Sequence, residues 1–262
     1  MASLKQAAGE AFSQRSADLI DRLLAERVER EPELREWYDA FSDEVARNHE
    51  HPPIELAHVR RVLRYFHAWR VNVVRARMGE RLAAARCLDV GDTDGLMLRH
   101  LGKDGIGFNL APDAVERIRA NGIEAQLGDA HGLPFEDGAF DCVLCFETLE
   151  HVEAPHSLLT ELARVCKPGG SVFVSIPWVP QTFVHPRDPA MPRGYAHFFE
   201  FRPDDFAAVV SHTPLEVAHA EVLDLLDSAR TRADRALIAA QRHHTVAGVF
   251  RRFQFYELRP RP

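Results

Sequence analysis

From residue 86 onward, short apolar runs of strand length alternate with stretches of helical spacing. We predict five strands from the runs "RCLDVGD", "GIGFNL", "IEAQLGD", "FDCVLCFE" and "GSVFVSIP". Two later runs, "LEVAHAEVLDL" and "VFRRFQFYELRP", predict two more. Parallel strands need a crossover between them, which is usually a helix. The sequence therefore predicts an α/β fold with a doubly wound, mostly parallel seven-stranded sheet.

The residues before this pattern are of a different kind. Residues 1–85 contain no convincing strand and are rich in Ala, Leu, Arg and Glu at helical spacing. We predict a helical N-terminal extension at 1–85, acting as a lid or substrate region, and a Rossmann-like domain at 86–262. The proline-rich segment 178–202 is predicted to cap the carboxyl ends of the strands, because long loops of this kind are usually functional.

Charge and composition exclude several classes of protein. The net charge of −7 argues against nucleic-acid binding, which requires a basic surface. No apolar run reaches the ~18 residues of a membrane span, and four cysteines are too few for a disulfide framework. We expect a cytoplasmic protein that binds a small molecule. The sequence is also compatible with a homodimer. Arg251, Arg252 and Arg259 are expected to be solvent-facing charges on an edge strand.

Polar segments follow the predicted strands, at the edge where an open parallel sheet binds its ligand. They read "DVGDTDG", "GFNLAP", "GDAHGLPF", "FETLEH" and "IPWVP". In this order and spacing they resemble the class I S-adenosylmethionine-dependent methyltransferases, especially the small-molecule enzymes similar to those of ubiquinone and menaquinone biosynthesis. The resemblance covers residues 86–180. It implies that S-adenosylmethionine is the cofactor and that a methyl group passes to an O, N or C nucleophile of a small metabolite.

The resemblance also implies a set of cofactor-binding residues. Asp89 and Gly91 match the start of the family's first motif, and Gly95 matches its last glycine. Thr93 stands in place of the middle glycine, and Asn109 stands where the family usually has an acid that accepts from the ribose hydroxyls. The implied set is Asp89, Gly91, Asp92, Thr93, Gly95, Asn109, Leu110, Asp129, Ala130 and Phe146.

Several of these positions have an alternative interpretation. Asp129 matches the acceptor for the adenine amino group, but an acid after a strand is also a common turn residue. Asp92 and Asp94 could repel the carboxylate of the cofactor or attract its cationic groups, and the sequence does not decide between these effects. Thr93 and Asn109 motivate a second hypothesis, in which the chain is a non-catalytic or cofactor-altered binding protein of the same fold.

Candidate catalytic residues follow the fourth predicted strand. His151 is a candidate general base, because imidazole titrates near neutral pH, and Glu147 is expected to border the reacting methyl. Equally, His151 could open a helix and bond a neighbouring loop. The candidate substrate residues, which could clamp an aromatic or lipid-like molecule, are Trp178, His185, Tyr195 and His197. No metal is expected, since the spacing of His185 and His197 shows no ligand motif.

Overall fold

The computed structural model describes residues 18–19, 21–41, 57–102, 104–185, 197–224, 231–232, 234 and 252–262. Tyr195 and Arg251 lie outside the described residues. The described residues form two compact units. One contains the residues up to Val73 and those between Asp224 and Arg252, and the other contains those from Val74 to Leu223 and from Phe253 to Pro262. The lid role of residues 1–85 stays a prediction.

The described residues before the first strand are helical, as the sequence predicts. Helix α1 covers 21–30, α2 covers Pro32–Ala40, and α3 covers Ala57–Met78, followed by a 3-10 helix at Gly79–Ala84. Arginines of α3 have partners within the chain: the Arg70 guanidinium is buried and lies 3.6 Å from the centroid of the Phe66 ring.

The main sheet contains seven strands in the order β3-β2-β1-β4-β5-β9-β8. The strands are β1 Arg86–Val90, β2 Asp104–Asn109, β3 Glu124–Leu127, β4 Phe140–Phe146, β5 Cys166–Pro177, β8 Leu215–Asp224 and β9 Arg252–Pro260. The pairs from β3 to β5 are parallel, and β9 is antiparallel to β5. The predicted doubly wound, mostly parallel sheet is confirmed.

The prediction of an edge position for the last strand is wrong. Strand β9 lies between β5 and β8, so both of its edges face neighbouring strands. Its arginines reach carboxylates: Arg252 lies 2.5 Å from Asp224, and Arg259 lies 2.9 Å from the fully buried Glu257. The arginines near the two ends of β9 therefore form ion pairs.

Helices cover the sheet and supply the core. They are α4 Leu96–Leu101, α5 Pro112–Ala120, α6 Pro155–Val165 and α7 Pro203–Ser211, with a 3-10 helix at Leu149–His151. Leu88 and Val143 of the central strands share one buried cluster with Leu158 of α6 and Phe206 of α7. No helix in the described part of the chain is long and apolar enough to cross a membrane.

Two features position a ligand site. The strand order reverses between β1 and β4, and in such sheets ligands bind beyond the carboxyl ends of the strands at the reversal. A separate antiparallel pair, β6 Phe183–Val184 and β7 Phe199–Glu200, belongs to the predicted cap segment. We refer to β6, β7 and the flanking His185, His197 and Phe198 as the β6–β7 ribbon.

Candidate active site

The loop after β1 packs directly against the turn that follows β4. Gly91 has a φ of +93°, and its N–H donates to the Phe108 carbonyl at 2.8 Å. A Cβ on Gly91 would lie 2.0 Å from the Thr148 Oγ1 atom. Only glycine satisfies both the backbone angle and the space at this position.

Asp92 and Asp94 turn their carboxylates inward. Asp92 Oδ1 accepts from the N–H groups of Asp94 at 3.0 Å and Gly95 at 2.7 Å, and Asp94 Oδ1 accepts from the Leu96 N–H at 2.9 Å. These bonds satisfy N–H groups at the start of α4. The two acids therefore organise the loop, and their bonded oxygens are directed at its own backbone.

Asp92 is a buried acid with a raised pKa. Burial raises its pKa from 3.8 to about 6, with a smaller contribution from the Asp94 charge, while the N–H groups of Gly95 and Asp94 act in the opposite direction. A Cβ on Gly107 of β2 would lie 2.8 Å from Asp92 Oδ2, so the absence of a side chain there makes room for the carboxylate. Above about pH 6 the loop holds a buried negative charge.

Thr93 replaces the expected middle glycine without backbone strain. Among the described residues only Glu147 is a non-glycine residue with positive φ, so the backbone at Thr93 does not require glycine. The Thr93 side chain is exposed, and its carbonyl accepts from Arg117 Nε at 3.3 Å. The Thr93 side chain therefore adds to the surface of the loop without backbone strain.

Asn109 joins the loops that follow β1 and β2. Its Nδ2 donates to the Asp92 carbonyl at 2.7 Å, and its Oδ1 accepts from the Ala111 N–H at 2.8 Å. A primary amide has a second N–H and a second lone pair, so these two bonds leave one donor and one acceptor site of the Asn109 side chain unused. An aspartate here could not donate to the Asp92 carbonyl.

We expect Asn109→Asp to lower the free energy of unfolding by about 1 to 2 kcal/mol, because the Asp92 carbonyl loses its donor. Although the change restores the acid usual in the family, cofactor binding is not expected to tighten. Urea unfolding and calorimetric titration with S-adenosylhomocysteine measure the two effects. Asn121→Asp is the matched control. It removes a similar bond, because Asn121 Nδ2 donates to the Asp94 carbonyl at 2.8 Å, but Asn121 follows helix α5 and not a strand. Tighter binding by Asn109→Asp alone would contradict this account.

Exposed leucines lie at the ends of β2 and β3, and the loop after β3 carries a carboxylate. Leu110 directly follows β2 and is 47% exposed, and Leu127 ends β3 and is 49% exposed. Asp129 Oδ1 accepts from the His131 N–H at 3.0 Å and lies 2.7 Å from His131 Nδ1. The turn interpretation of Asp129 thus holds, and its side chain is still exposed. Ala130 is partly buried against the main core.

The residue directly after β4 is strained and is held by β5. Glu147 has a φ of +47°, in the region that favours glycine. Its N–H donates to the Ser175 carbonyl at 3.0 Å, and Ser175 Oγ donates to Glu147 Oε1 at 2.9 Å. Strained residues of this kind cluster at functional sites. Phe146, the preceding residue, is half-buried with its ring 6.1 Å from that of Phe255.

The β6–β7 ribbon brings polar side chains to the turn after β4. The Phe198 N–H donates to the Glu150 carbonyl at 2.7 Å, and the rings of His151 and His197 lie 4.7 Å apart between centroids. Ligand atoms of Glu150, His151 and His197 lie within 4.8 Å of one another, so these residues could hold a metal ion. The expectation of no metal, argued from the spacing of His185 and His197, stays a prediction.

The structure describes three of the four candidate substrate residues. Trp178 directly follows β5 and is half-buried. His185 and His197 flank the two strands of the ribbon, and the His185 N–H donates to the Phe198 carbonyl at 2.9 Å. Tyr195 lies outside the described residues. Their role in substrate binding stays a prediction.

Sequence reasoning assigned no role to several residues at this edge. Thr148 fills the space against Gly91, Ser175 holds Glu147, and Glu150 is buried beside two imidazoles. Ser175 interrupts the apolar run "VFVSIP". A lone polar residue in a buried strand indicates a hydrogen-bond partner nearby, so the sequence could have pointed to Ser175. Thr148 and Glu150 offer no comparable signal. Thr148 packs against Gly91, which is distant in sequence, and Glu150 lies near His197, which is also distant, and near His151 of the same turn.

Comparison with known proteins agrees with this geometry. Residues 88–174 match a family model described as a methyltransferase domain. A ubiquinone biosynthesis O-methyltransferase of Xanthomonas oryzae pv. oryzae is 34% identical over an alignment of 166 positions, and the match covers 56% of this chain and 69% of the relative. The chain therefore belongs to the class I S-adenosylmethionine-dependent methyltransferase family. It is a methyltransferase, and the comparisons give no support to the alternative of a non-catalytic or cofactor-altered protein.

Solved structures share the fold at low sequence identity. A candidate methyltransferase of Bacillus halodurans has a TM-score of 0.53 and 18% identity, covering 73% of this chain and 98% of that chain. A candidate sarcosine dimethylglycine methyltransferase of Galdieria sulphuraria has a TM-score of 0.53 and 16% identity, covering 75% of this chain and 85% of that chain. These similarities support the Rossmann-like methyltransferase fold.

Proposed function

We propose that this enzyme methylates an oxygen of a phenol or a similarly acidic hydroxyl, with S-adenosylmethionine bound beyond the carboxyl ends of β1, β2 and β3. The observation that carries the proposal is the loop from Gly91 to Gly95, whose acids bond the loop itself and leave its outer surface to the ligand. The O-methyltransferase named above supports oxygen as the acceptor atom.

The residues present fit this cofactor. The exposed face of Leu110 suits a flat adenine ring, and the exposed Asp129 carboxylate suits its amino group. Asn109 keeps one donor and one acceptor for the ribose. The buried charge of Asp92 favours a cationic ligand when it is ionised. When bound, the cofactor supplies a methyl group activated by its sulfonium.

The protein contributes alignment and a shielded acceptor site. Glu147, directly after β4, is held by Ser175 of β5, so its carboxylate keeps a defined direction. His151 and the β6–β7 ribbon lie next along the same edge, which supports their role on the acceptor side. An aromatic acceptor would fit the half-buried Trp178 and the ring-bearing ribbon.

Calorimetric titration with S-adenosylmethionine and S-adenosylhomocysteine tests the cofactor site directly. We expect a Kd in the micromolar range, on the order of 1–100 μM. Asp129→Asn is expected to weaken binding about tenfold, because a charged acceptor becomes a neutral one. Asp137→Asn, at an exposed acid that pairs with Arg164 at 2.8 Å, is the matched control and is expected to bind normally.

Transfer is then measured as S-adenosylhomocysteine formed with a panel of simple phenols and catechols. Formation with at least one member supports the acceptor class. Absence of heat with both cofactor forms would refute the proposed site, whatever the acceptor. Binding of the cofactor with methylation of amines alone would refute the assignment of oxygen.

A further inference from the structure

One buried side chain of β9 bonds the chain near both ends of the cap segment. Gln254 is fully buried and lies opposite Ile176 of β5. Its Nε2 donates to the Pro177 carbonyl at 2.9 Å and also to the Phe201 carbonyl. Pro177 is the last residue before the cap segment, and Phe201 directly follows β7. A single primary amide therefore joins the place where the chain leaves the sheet to the place where it comes back from the β6–β7 ribbon.

The nearby Tyr256 hydroxyl fixes the direction of this amide. Carbonyl oxygens only accept hydrogen bonds, so the amide nitrogen of Gln254 must face Pro177 and Phe201. The Gln254 Oε1 atom then faces Tyr256, whose hydroxyl donates to it at 2.6 Å. Burial raises the pKa of the Tyr256 hydroxyl, which therefore keeps the proton that it donates. A carboxylate in place of the amide could not make either donation to the carbonyls.

Aromatic rings continue the connection from the sheet to the ribbon. The Tyr256 ring lies 4.6 Å from the ring of Phe206 in α7, and the Phe206 ring lies 5.9 Å from that of Phe201. The Phe201 ring in turn stacks on that of Phe199 in β7, at 5.6 Å between centroids. Gln254 therefore holds the backbone of Phe201 while α7 packs on its ring, which gives the end of β7 a defined position.

Both bonded carbonyls lie beside the acceptor side of the proposed active site. Trp178, a candidate substrate residue, directly follows Pro177, and Phe201 directly follows the ribbon. The ribbon also bonds the turn after β4, where the Phe198 N–H donates to the Glu150 carbonyl at 2.7 Å. Strands β1, β2 and β3, which carry the proposed cofactor site, lie on the other side of β4 in the sheet.

We propose that Gln254 is a positioning residue for the acceptor substrate: through the two carbonyls it fixes Trp178 and the β6–β7 ribbon relative to each other, and so sets the space into which the substrate hydroxyl is placed. This inference rests on the proposed function, because it needs an acceptor bound at Trp178 and the ribbon. Gln254 is fully buried, so it acts through the residues that it holds. A displacement of about 1 Å between reactants can cost on the order of 100-fold in rate.

A second set of bonds at the base of the ribbon offers a competing explanation. Thr182 Oγ1 accepts from the Arg202 N–H at 3.0 Å and donates to Asp205 Oδ2 at 2.6 Å. These bonds join the ribbon to the start of α7 and do not involve Pro177. Thr182→Val removes them and keeps the branched shape of the side chain, so this variant measures how much of the positioning comes from Thr182.

The test compares Gln254→Met and Tyr256→Phe with wild type on the phenol panel. Methionine is similar in length to glutamine and cannot donate, while phenylalanine keeps the ring and removes the donor to Gln254 Oε1. We expect Gln254→Met to lower kcat/KM for the phenol about 100-fold and Tyr256→Phe about tenfold, through a raised phenol KM and a lowered kcat. The KM for S-adenosylmethionine and the Kd for S-adenosylhomocysteine should stay within about twofold of wild type, since distant sites behave independently.

Ser171→Ala is the matched control. Ser171 Oγ donates to the buried Glu257 Oε1 at 3.0 Å, so the variant removes a buried bond between the same two strands, β5 and β9, away from the cap segment. It is expected to lower the midpoint of urea unfolding and to leave kcat/KM for the phenol unchanged. The same pattern in Gln254→Met would show that Gln254 has a structural role alone and would overturn the inference.

Hydrogen exchange followed by mass spectrometry gives a readout that needs no substrate. Peptides that contain His185 and Phe198 should exchange faster in Gln254→Met than in wild type, because their N–H groups bond within the ribbon and to the turn after β4. Ser171→Ala should leave this exchange unchanged. If Gln254→Met does not fold, Tyr256→Phe decides by the same measurements.

Other results would overturn the inference while leaving the proposed function intact. These are unchanged exchange of the ribbon peptides, equal losses of cofactor affinity and of kcat/KM for the phenol, or normal phenol kinetics in Gln254→Met with a defect in Thr182→Val. Failure of the wild-type protein to bind either cofactor form, or to methylate any phenol, would instead refute the proposed function. Hydrogen exchange would then decide whether Gln254 holds the ribbon.

Discussion

Gly91→Ala is expected to lower the free energy of unfolding by about 2 to 5 kcal/mol and to abolish measurable binding of S-adenosylhomocysteine. Two penalties add at this residue. Alanine at a φ of +93° is strained by about 1–2 kcal/mol, and its Cβ would sit 2.0 Å from Thr148 Oγ1, so the packing must open at a further cost of about 1–3 kcal/mol. Urea unfolding and calorimetry measure both outcomes.

Gly122→Ala separates the two penalties. Gly122 has a φ of +81°, but a Cβ there has nothing within 4 Å, so only the backbone strain is expected. Adding Thr148→Ala to Gly91→Ala removes the two side-chain atoms nearest the new Cβ and is expected to recover part of the loss. Equal losses for Gly91→Ala and Gly122→Ala would show that the contact with Thr148 is unimportant.

Asp92→Asn is expected to improve stability at high pH and to weaken cofactor binding. The raised pKa of Asp92, about 6 instead of 3.8, means that the native state binds the proton more tightly than the unfolded state between these pH values. Wild-type stability therefore falls as the pH rises through this window and stays low above it. Asparagine cannot ionise, so the variant should gain about 3 kcal/mol relative to wild type between pH 3 and pH 8.

The cofactor is expected to show the opposite preference. Loss of the buried negative charge should weaken binding of the cationic S-adenosylmethionine about tenfold at pH 8. Urea unfolding across the pH range and calorimetry at pH 8 provide the measurements. Asp94→Asn, in the same loop, tests whether any loss of charge there has the same effect. A stability difference that is constant with pH would contradict the assignment of the titration to Asp92.

The sheet is predictable from sequence because its strands are buried apolar runs separated by helices. The periodicity identifies all seven strands, although it does not give their order. The run "VFRRFQFYELRP" reads as an edge strand because its arginines suggest solvent, whereas Asp224 and Glu257 receive two of them. Ion pairs of this kind depend on which strands become neighbours, and single-sequence patterns do not report that.

The candidate site is predictable only as a set of positions. The sequence places Asp92 and Asp94 in the loop after β1, yet the direction of their carboxylates depends on N–H groups at the start of α4 and on the missing side chain of Gly107. The contact of His197 with His151 joins residues 46 positions apart in the chain, so no local spacing could reveal it. A sequence can indicate residues whose side chains bond the nearby backbone. It does not indicate partners that only the fold brings together.

The position of β9 has a consequence for synthesis of the protein on the ribosome. Strand β8 is made before β9, but β9 lies between β8 and β5 in the finished sheet. Until residues 252–260 emerge, β5 has an open edge and β8 has no neighbour, and both are exposed to pairing with other nascent chains. Between the synthesis of β8 and that of β9 the growing chain thus exposes unpaired strand edges, and expression should respond to slow translation or to chaperone supply at this stage.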